Sequence, residues 1–441
     1  MKIFKRILLL LVVVIIIITY LNYPKLNIIA GYSAKNMSSS VFLANRNLAF
    51  TDSTDNNFSP INLASDKINT DEKSATASVF GLLTRKAIYR EGVGSVLITD
   101  DFDITKKAAV PKRSKPDVTT PFPFGNATPK HTVLTTVDYE KLNLTVNSLF
   151  NDSIKTRAVL VLHKNQIIAE KYAKGFTKNS RFLGWSMTKS ILSTVIGILQ
   201  HQGGINVYDK APIAEWQQDG RKNITIHDLL QMNSGLEWDE NYNEISDVTK
   251  MLFLEKDMTQ VQARKKMIGK PNESWNYSSG TTNLLSGILR QQFKTHQAYL
   301  DFWYTDFIDK IGMNSMLIET DMSGNYVGSS YAWATARDWA KFGLLYLNNG
   351  NWNGQQLFTK DWVRYITTPT NGSNGTYGAH FWLNANGTFK DVPKSLFYAD
   401  GYQGQRVYVL PDQELVIVRF GLTGNYDENL FLKEIIQSIA Y

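Results

Sequence analysis

Ser186 and Lys189 open an apolar run, 190–200, that reads as a buried helix. On a helix, an i, i+3 pair shares one face. A lysine amine within reach of a serine hydroxyl can take its proton and turn a poor nucleophile into one that attacks a carbonyl carbon. A surface lysine one turn from a capping serine gives the same pattern, so the pair needs company. A second stretch, Trp275-Asn276-Tyr277-Ser278-Ser279-Gly280, offers a tyrosine. A free phenol titrates near ~10, and a cation such as Lys189 beside it favours the phenolate. Lysine and tyrosine would then share the proton traffic that histidine carries in a Ser-His-Asp triad. Taken alone, Tyr277 reads better as an ordinary half-buried aromatic. The third stretch is Ala399-Asp400-Gly401-Tyr402-Gln403-Gly404-Gln405. A glycine-rich strand edge lets a substrate lie against the backbone and supplies N–H groups for an oxyanion; by itself it is also a plain turn.

These residues need a scaffold, and the hydropathy pattern supplies one from about 137 onward. Residues 159–162 and 167–169 read as two strands joined by a tight turn. The Ser186 helix stops at Gly203-Gly204. A mainly helical and loop region follows to about 370, with a capped helix at 225–232 and another over 339–347 opened by Thr335. Segments 405–410 and 415–419 flank a Pro411-Asp412-Gln413 turn, a hairpin pattern, and an amphipathic helix covers about 427–440. Strands at both ends with helices between them predict an α+β domain over 137–441, an antiparallel sheet flanked by helices plus a mainly helical subdomain. Residues 25–136 differ. An Asn/Asp/Ser/Thr-rich patch at 51–57 and prolines at 111, 116, 121, 123 and 129 predict loops or extended arms packed on the catalytic domain.

Composition narrows the function classes. The chain has 441 residues, 43% hydrophobic and 20% charged, as a folded globular protein does. With no cysteine, disulfides, thiolate nucleophiles and cysteine-based zinc sites are all excluded. The six histidines (131, 163, 201, 227, 296 and 380) show no metal-ligand spacing, so no metal and no cofactor are expected. The net charge of +7 is spread out, with one cluster at Lys106, Lys107, Lys112, Arg113 and Lys115. Nucleic-acid binding wants a focused basic stripe with interleaved aromatics, which is missing.

The N-terminus has a direction. Lys2, Lys5 and Arg6 precede the apolar run 7–21, and the first acidic residue is Asp52. As a helix that run spans about 22 Å at ~1.5 Å per residue, short for a full crossing unless Thr19, Tyr20, Asn22 and Tyr23 extend it into the interface. A small-x-small cleavage pattern is lacking after Leu21. Residues 1–24 are therefore expected to be an uncleaved signal-anchor with its positive end in the cytoplasm, in competition with a cleaved signal peptide. Either way the body is exported, to the periplasm or the exterior.

In order and spacing, Ser186-Met187-Thr188-Lys189, Tyr277-Ser278-Ser279 and Gly401-Tyr402-Gln403-Gly404-Gln405 resemble the serine β-lactamase and penicillin-binding-protein superfamily. The closer resemblance is to its class C-like branch of family VIII-type esterases and 6-aminohexanoate-dimer hydrolases. Segments 229–236, 334–340 and 377–382 look like that branch as well. The resemblance implies Ser186 as acylated nucleophile, Lys189 as its activating amine and Tyr277 as general acid/base. Ser279 stands where many relatives have Asn and this branch has Ser. Gly401 and Tyr402 would border the oxyanion hole, formed by the Ser186 N–H and one near Tyr402. Relatives that process β-lactams usually open the third motif with Lys or His; here Ala399-Asp400-Gly401 carries no cation. A substrate carboxylate would lack its partner there, unless Arg406 or Arg337 supplies charge, and Arg337 reads better as half of a structural ion pair. Stretches 31–42 and 90–95 resemble places where exported relatives carry a Cys, with Ser38 and Ser95 in those positions.

The expected activity is hydrolysis of a small-molecule ester or amide. The alternatives are a penicillin-binding-protein-like peptidase or β-lactamase, and a non-catalytic binding protein on the same fold. Trp185, Trp275 and Tyr402 are candidates for an aromatic cleft suited to apolar acyl chains, or else core aromatics.

Overall fold

The computed structural model describes residues 2–130 and 132–440; His131 lies outside them. Chain contacts divide it into a smaller unit (1–90, 95–105 and 239–256) and a larger one (91–94, 106–238 and 257–441).

The smaller unit contains α1 (Lys2–Phe42), α2 (Leu48–Ser53), the antiparallel sheet β1 (Ala64–Asn69), β2 (Ser74–Val79), β3 (Leu83–Arg90) and β4 (Gly94–Ile98), and a later helix, α6 in chain order (Asp247–Leu254). The sequence predicts loops or arms here, and the structure corrects this. The buried alternate positions of β2 are Ala75, Ala77 and Val79, two of them alanine, so the alternation carries little of the large apolar contrast that announces a strand. The second half of α1 is likewise rich in small residues. Ala30, Ala34, Ser38 and Ser40 are all buried, and Gly31 brings the helix close to Leu97 and Phe253. The first half is different: 3–20 is long and apolar enough to cross a membrane by length and composition. Pro24 lies inside the continuous helix.

Ser38 and Ser95, the two positions singled out by resemblance, meet. Their buried hydroxyls are 2.8 Å apart and tie α1 to β4. A Ser38→Cys/Ser95→Cys double variant is expected to form a disulfide under oxidation and raise the unfolding free energy of this unit by about 2–4 kcal/mol. Thermal melts with and without reductant measure it; identical melts of the cross-linked and reduced forms would refute it.

The larger unit is the predicted α+β fold. Its main sheet has six antiparallel strands: β5 (Thr156–His163), β6 (Gln166–Tyr172), β12 (Trp382–Leu383), β13 (Phe397–Gly401), β14 (Gln405–Leu410) and β15 (Leu415–Gly421). Their spatial order is β12-β13-β14-β15-β5-β6. A second sheet pairs β7 (Arg181–Leu183), β9 (Ala332–Thr335) and β8 (Leu317–Ile318), with β9 in the middle, and a short hairpin joins β10 (Asn351–Trp352) to β11 (Gln355–Gln356). Every residue of β5 and β15 is buried because both faces of the sheet are covered. Val159, Val161, Tyr408 and Ile417 pack with α3 (Tyr139–Ser148) and α11 (Glu428–Gln437). The alternate residues Leu160, Leu162, Val407 and Val416 share a core with α4 (Met187–His201) and α9 (Ala336–Leu347). At Gly343 a Cβ would come within 2.5 Å of Val416, so glycine lets α9 lie close on the sheet. Helices α5 (Ile226–Leu230), α7 (Ser279–Gln291), α8 (His296–Trp303) and α10 (Lys360–Thr367) complete the helical part.

Candidate active site

The strand β7 ends at Leu183, and α4 begins at Met187, so the chain must turn within Gly184-Trp185-Ser186. Trp185 takes a left-handed φ of 47°, a strained state for a bulky residue. The turn is pinned twice. Gly184 N–H donates to Ala332 O (2.8 Å), and the Thr188 hydroxyl donates to Trp185 O (2.7 Å) while accepting from Ala332 N–H (3.0 Å). Ser186 is thereby the N-cap of α4.

Lys189 is buried, and its Nζ donates to Ser186 Oγ (3.0 Å), Ser279 Oγ (2.9 Å) and Ser329 O (3.1 Å). As an ammonium Nζ can donate to all three; as a neutral amine it donates to Ser279 Oγ and Ser329 O and accepts the Ser186 hydroxyl proton. Nζ also lies 4.8 Å from the centre of the Tyr277 ring. Ser278 caps α7 by accepting from Thr281 N–H at 2.9 Å, and Ser279 starts the helix facing Lys189. Four of the six predicted residues, Ser186, Lys189, Tyr277 and Ser279, are thus brought together. Ser329 contributes only its carbonyl, so no side-chain pattern could have flagged it.

Gly401 and Tyr402 join from the other side. A Cβ on Gly401 would sit 2.1 Å from Gly184 O, so the two backbones pass at a distance only glycine allows. The Tyr402 ring stands edge-on against Trp185 at 5.8 Å. Strand β13 pairs with β12 only at Phe397 and Tyr398, and among the described residues no strand pairs with 399–401 on that side. The edge at 399–401 is thus open, and Tyr402-Gln403-Gly404 forms a tight turn directly after it. Around Tyr277 the rings of Trp275, Tyr377 and Trp382 form a cluster with centroids 5.3–6.5 Å apart.

The nearby cations are committed elsewhere. Arg406 binds Asp400 and donates to Glu428 at 2.8 Å, and Arg337 makes two 2.7 Å contacts with Glu170, as the structural reading of Arg337 expected. Burial pushes the Asp400 carboxyl up to about 6 despite Arg406. A carboxyl raised in the folded state binds its proton there before the unfolded chain does, so its contribution favours folding at low pH and is lost as pH rises toward about 6. Wild type should therefore gain stability relative to Asp400→Asn as pH falls from 7 to 5. Denaturant titrations across that range measure it, and a pH-independent difference would rule it out.

His380 was not singled out by spacing. It is buried, and desolvation pushes its imidazole down to about 3, so it is neutral at ordinary pH. Nδ1 faces Leu230 O (2.8 Å), an acceptor, so Nδ1–H donates and Nε2 accepts from the Thr282 hydroxyl (3.0 Å). His380 O accepts from Ser190 Oγ (2.7 Å), which ties the helix of Lys189 to the helix of Ser279.

Known proteins resemble this chain in sequence or in fold. A 6-aminohexanoate-dimer hydrolase of Paenarthrobacter ureafaciens is 23% identical over 300 residues, 60% of this chain and 72% of that protein. Among solved structures, a family VIII carboxylesterase superposes with a TM-score of 0.55 at 13% identity, covering 70% of this chain and 98% of its own. A penicillin-binding protein homologue from Caulobacter crescentus gives 0.51 at 14%, covering 69% and 97%. At these identities the two structures establish the fold. The Beta-lactamase family model matches residues 147–427, more than half of the sequence, and the chain belongs to that family.

Proposed function

We propose that this chain is an exported serine hydrolase, held to a membrane by α1, that cleaves an uncharged ester or amide through an acyl-enzyme on Ser186. The observation that carries this reading is the Lys189 amine 3.0 Å from Ser186 Oγ. With Lys189 neutral, its amine takes the hydroxyl proton as Oγ attacks the carbonyl carbon. The resulting oxyanion is met by the backbone N–H of Ser186 and one near Tyr402. Tyr277 hands a proton to the leaving oxygen or nitrogen as its bond to the carbonyl carbon breaks. Water then attacks the acyl-enzyme, gives its proton back through the same groups, and frees the acid and Ser186. The distant hydrolase relatives support the reaction class, and the ring cluster beside Tyr277 favours an apolar acyl group.

The ion pairs of Arg406 and Arg337 argue against docking a substrate carboxylate at the third motif. A missing charge-assisted bond of about 1.5–3 kcal/mol corresponds to roughly 10–100-fold in binding. The test is a panel of short-chain p-nitrophenyl esters, linear amides, nitrocefin and a D-Ala-D-Ala peptide, with wild type and Ser186→Ala. Turnover of an ester or amide that vanishes in Ser186→Ala is expected. Faster turnover of nitrocefin or the peptide would transfer the reading to the cell-wall alternative.

A further inference from the structure

The smaller unit carries an apolar tip that a soluble surface would not favour. The turn between β2 and β3 is Phe80-Gly81-Leu82, closed by Leu82 N–H donating to Val79 O at 3.0 Å. Phe80 and Leu82 are 68% and 54% exposed, and Leu63, just before β1, is exposed beside them in register, since Ala64 pairs with Val79. Phe80 also holds a φ of +53°, and an aromatic side chain is rarely kept in that conformation at a solvent-facing turn. The turn at the opposite end of the sheet is Thr70-Asp71-Glu72-Lys73, exposed and charged. The two ends of one sheet therefore differ in kind.

Contacts between α1 and the sheet say which end faces which way. Asn27 of α1 bonds Arg85 near the start of β3, and Phe42 at the end of α1 stacks on Tyr89 near the end of β3. Helix and strand thus run in the same sense. The charged turn lies toward Phe42, because Tyr89 N–H donates to Lys73 O at 2.8 Å. The apolar turn lies toward Asn27 and beyond. From Arg85 back to Leu82 the strand advances about 10 Å at ~3.3 Å per residue. From Asn27 back to Tyr20 the helix climbs about 10 Å at ~1.5 Å per residue. The Phe80 tip consequently reaches the level of Tyr20, where the membrane-long segment 3–20 ends. At that level α1 presents exposed Tyr20 and Tyr23 and then Lys25, the residue types that sit at a bilayer's headgroup boundary.

We infer that the β2–β3 turn, through Phe80 and Leu82 with Leu63 beside them, is a second membrane contact that seats in the interfacial layer of the bilayer next to α1. The inference rests on the reading of α1 as a membrane anchor. It adds that the smaller unit is held by two points, so its rotation about the anchor is restricted. The occupant is lipid: the patch is small and apolar, continuous in level with the segment 3–20, and capped at the far end by charge.

The absence of cysteine makes a single introduced thiol a unique label. Full-length Phe80→Cys, Leu82→Cys, Glu72→Cys and Tyr20→Cys are each labelled with the environment-sensitive dye NBD and reconstituted into phosphatidylcholine/phosphatidylglycerol vesicles. Spin-labelled phosphatidylcholine is then added as a quencher. Labels at 80 and 82 are expected to shift to the blue and lose intensity to the quencher, while the label at 72 does neither. Aqueous, unquenched emission at both 80 and 82, with 20 quenched, would overturn the inference and leave the anchor standing. An unquenched label at 20 would remove the anchor reading, and the two-point attachment with it. Positions 80 and 82 are exposed turn sites, and agreement between them guards against a local disturbance by either substitution.

Discussion

Lys189→Met is expected to lower kcat/KM by roughly 10³-fold, within the range for loss of a positioned general base, while the protein stays folded. Methionine fills a similar volume, so the packing loss is small. The local cost is that Ser279 Oγ and Ser329 O each lose a donor, worth about 1–3 kcal/mol apiece if no water or rotamer change compensates. The loss of rate should fall mainly on kcat for the acylation step, since Lys189 faces the nucleophile rather than the cleft rim. In the Ser186→Ala/Lys189→Met double variant the two losses should not add, because both remove the same step. Kinetics on the best ester, beside a thermal melt, give the answer. A Lys189→Met enzyme within tenfold of wild type would mean that another group activates Ser186.

Arg419→Met should be the most destabilising single substitution in the third-motif region, by about 3–5 kcal/mol, because several acceptors each lose a donor worth about 1–3 kcal/mol and water recovers only part of it. Arg419 is fully buried on β15, and its guanidinium donates to the carbonyls of Ile154, Gln403, Gly404 and Thr423 and to Thr156 Oγ1, at 2.7–3.2 Å. Its charge also lies over the Tyr426 ring at 4.7 Å. Methionine would leave those acceptors buried without a donor. Two of them belong to the turn that follows Tyr402, so the ring contact of Tyr402 with Trp185 should loosen and activity should fall further than instability alone explains. Lysine offers fewer protons and no planar fork, so Arg419→Lys should lie between. Urea melts, with kinetics at a temperature where each variant is folded, separate the two effects. An Arg419→Met protein within about 0.5 kcal/mol of wild type, the range of a neutral surface change, would contradict this account.

The serine–lysine pair was legible as a candidate because its spacing is local: an i, i+3 pair at the start of an apolar helix shares a face, and the joint resemblance singled it out from an ordinary cap. Tyr277, Ser279 and Gly401 lie far from Ser186 in sequence and were placed beside it only by the joint resemblance of three motifs. The terminal strands of the larger unit were visible because they are runs of large apolar residues bounded by turn signals, and its last helix because of its amphipathic spacing. The sheet of the smaller unit was not, since Ala75, Ala77 and the serines of α1 pack tightly with almost no hydropathy contrast. The Ser329 carbonyl is a backbone group without a sequence signature. His380 was visible as a residue but not as the link between α4 and α7, a role set by where the chain turns around it. The commitment of Arg406 to two carboxylates was also hidden, because Glu428 belongs to another element.

Intact-mass spectrometry of the full chain after a fluorophosphonate probe, with Ser186→Ala and Lys189→Met alongside, tests the central claim most directly. One adduct on wild type, none on Ser186→Ala and slow, partial labelling of Lys189→Met is the predicted result. Folded wild-type protein that takes no adduct, or a Ser186→Ala protein that still takes one, would contradict Ser186 as the activated nucleophile.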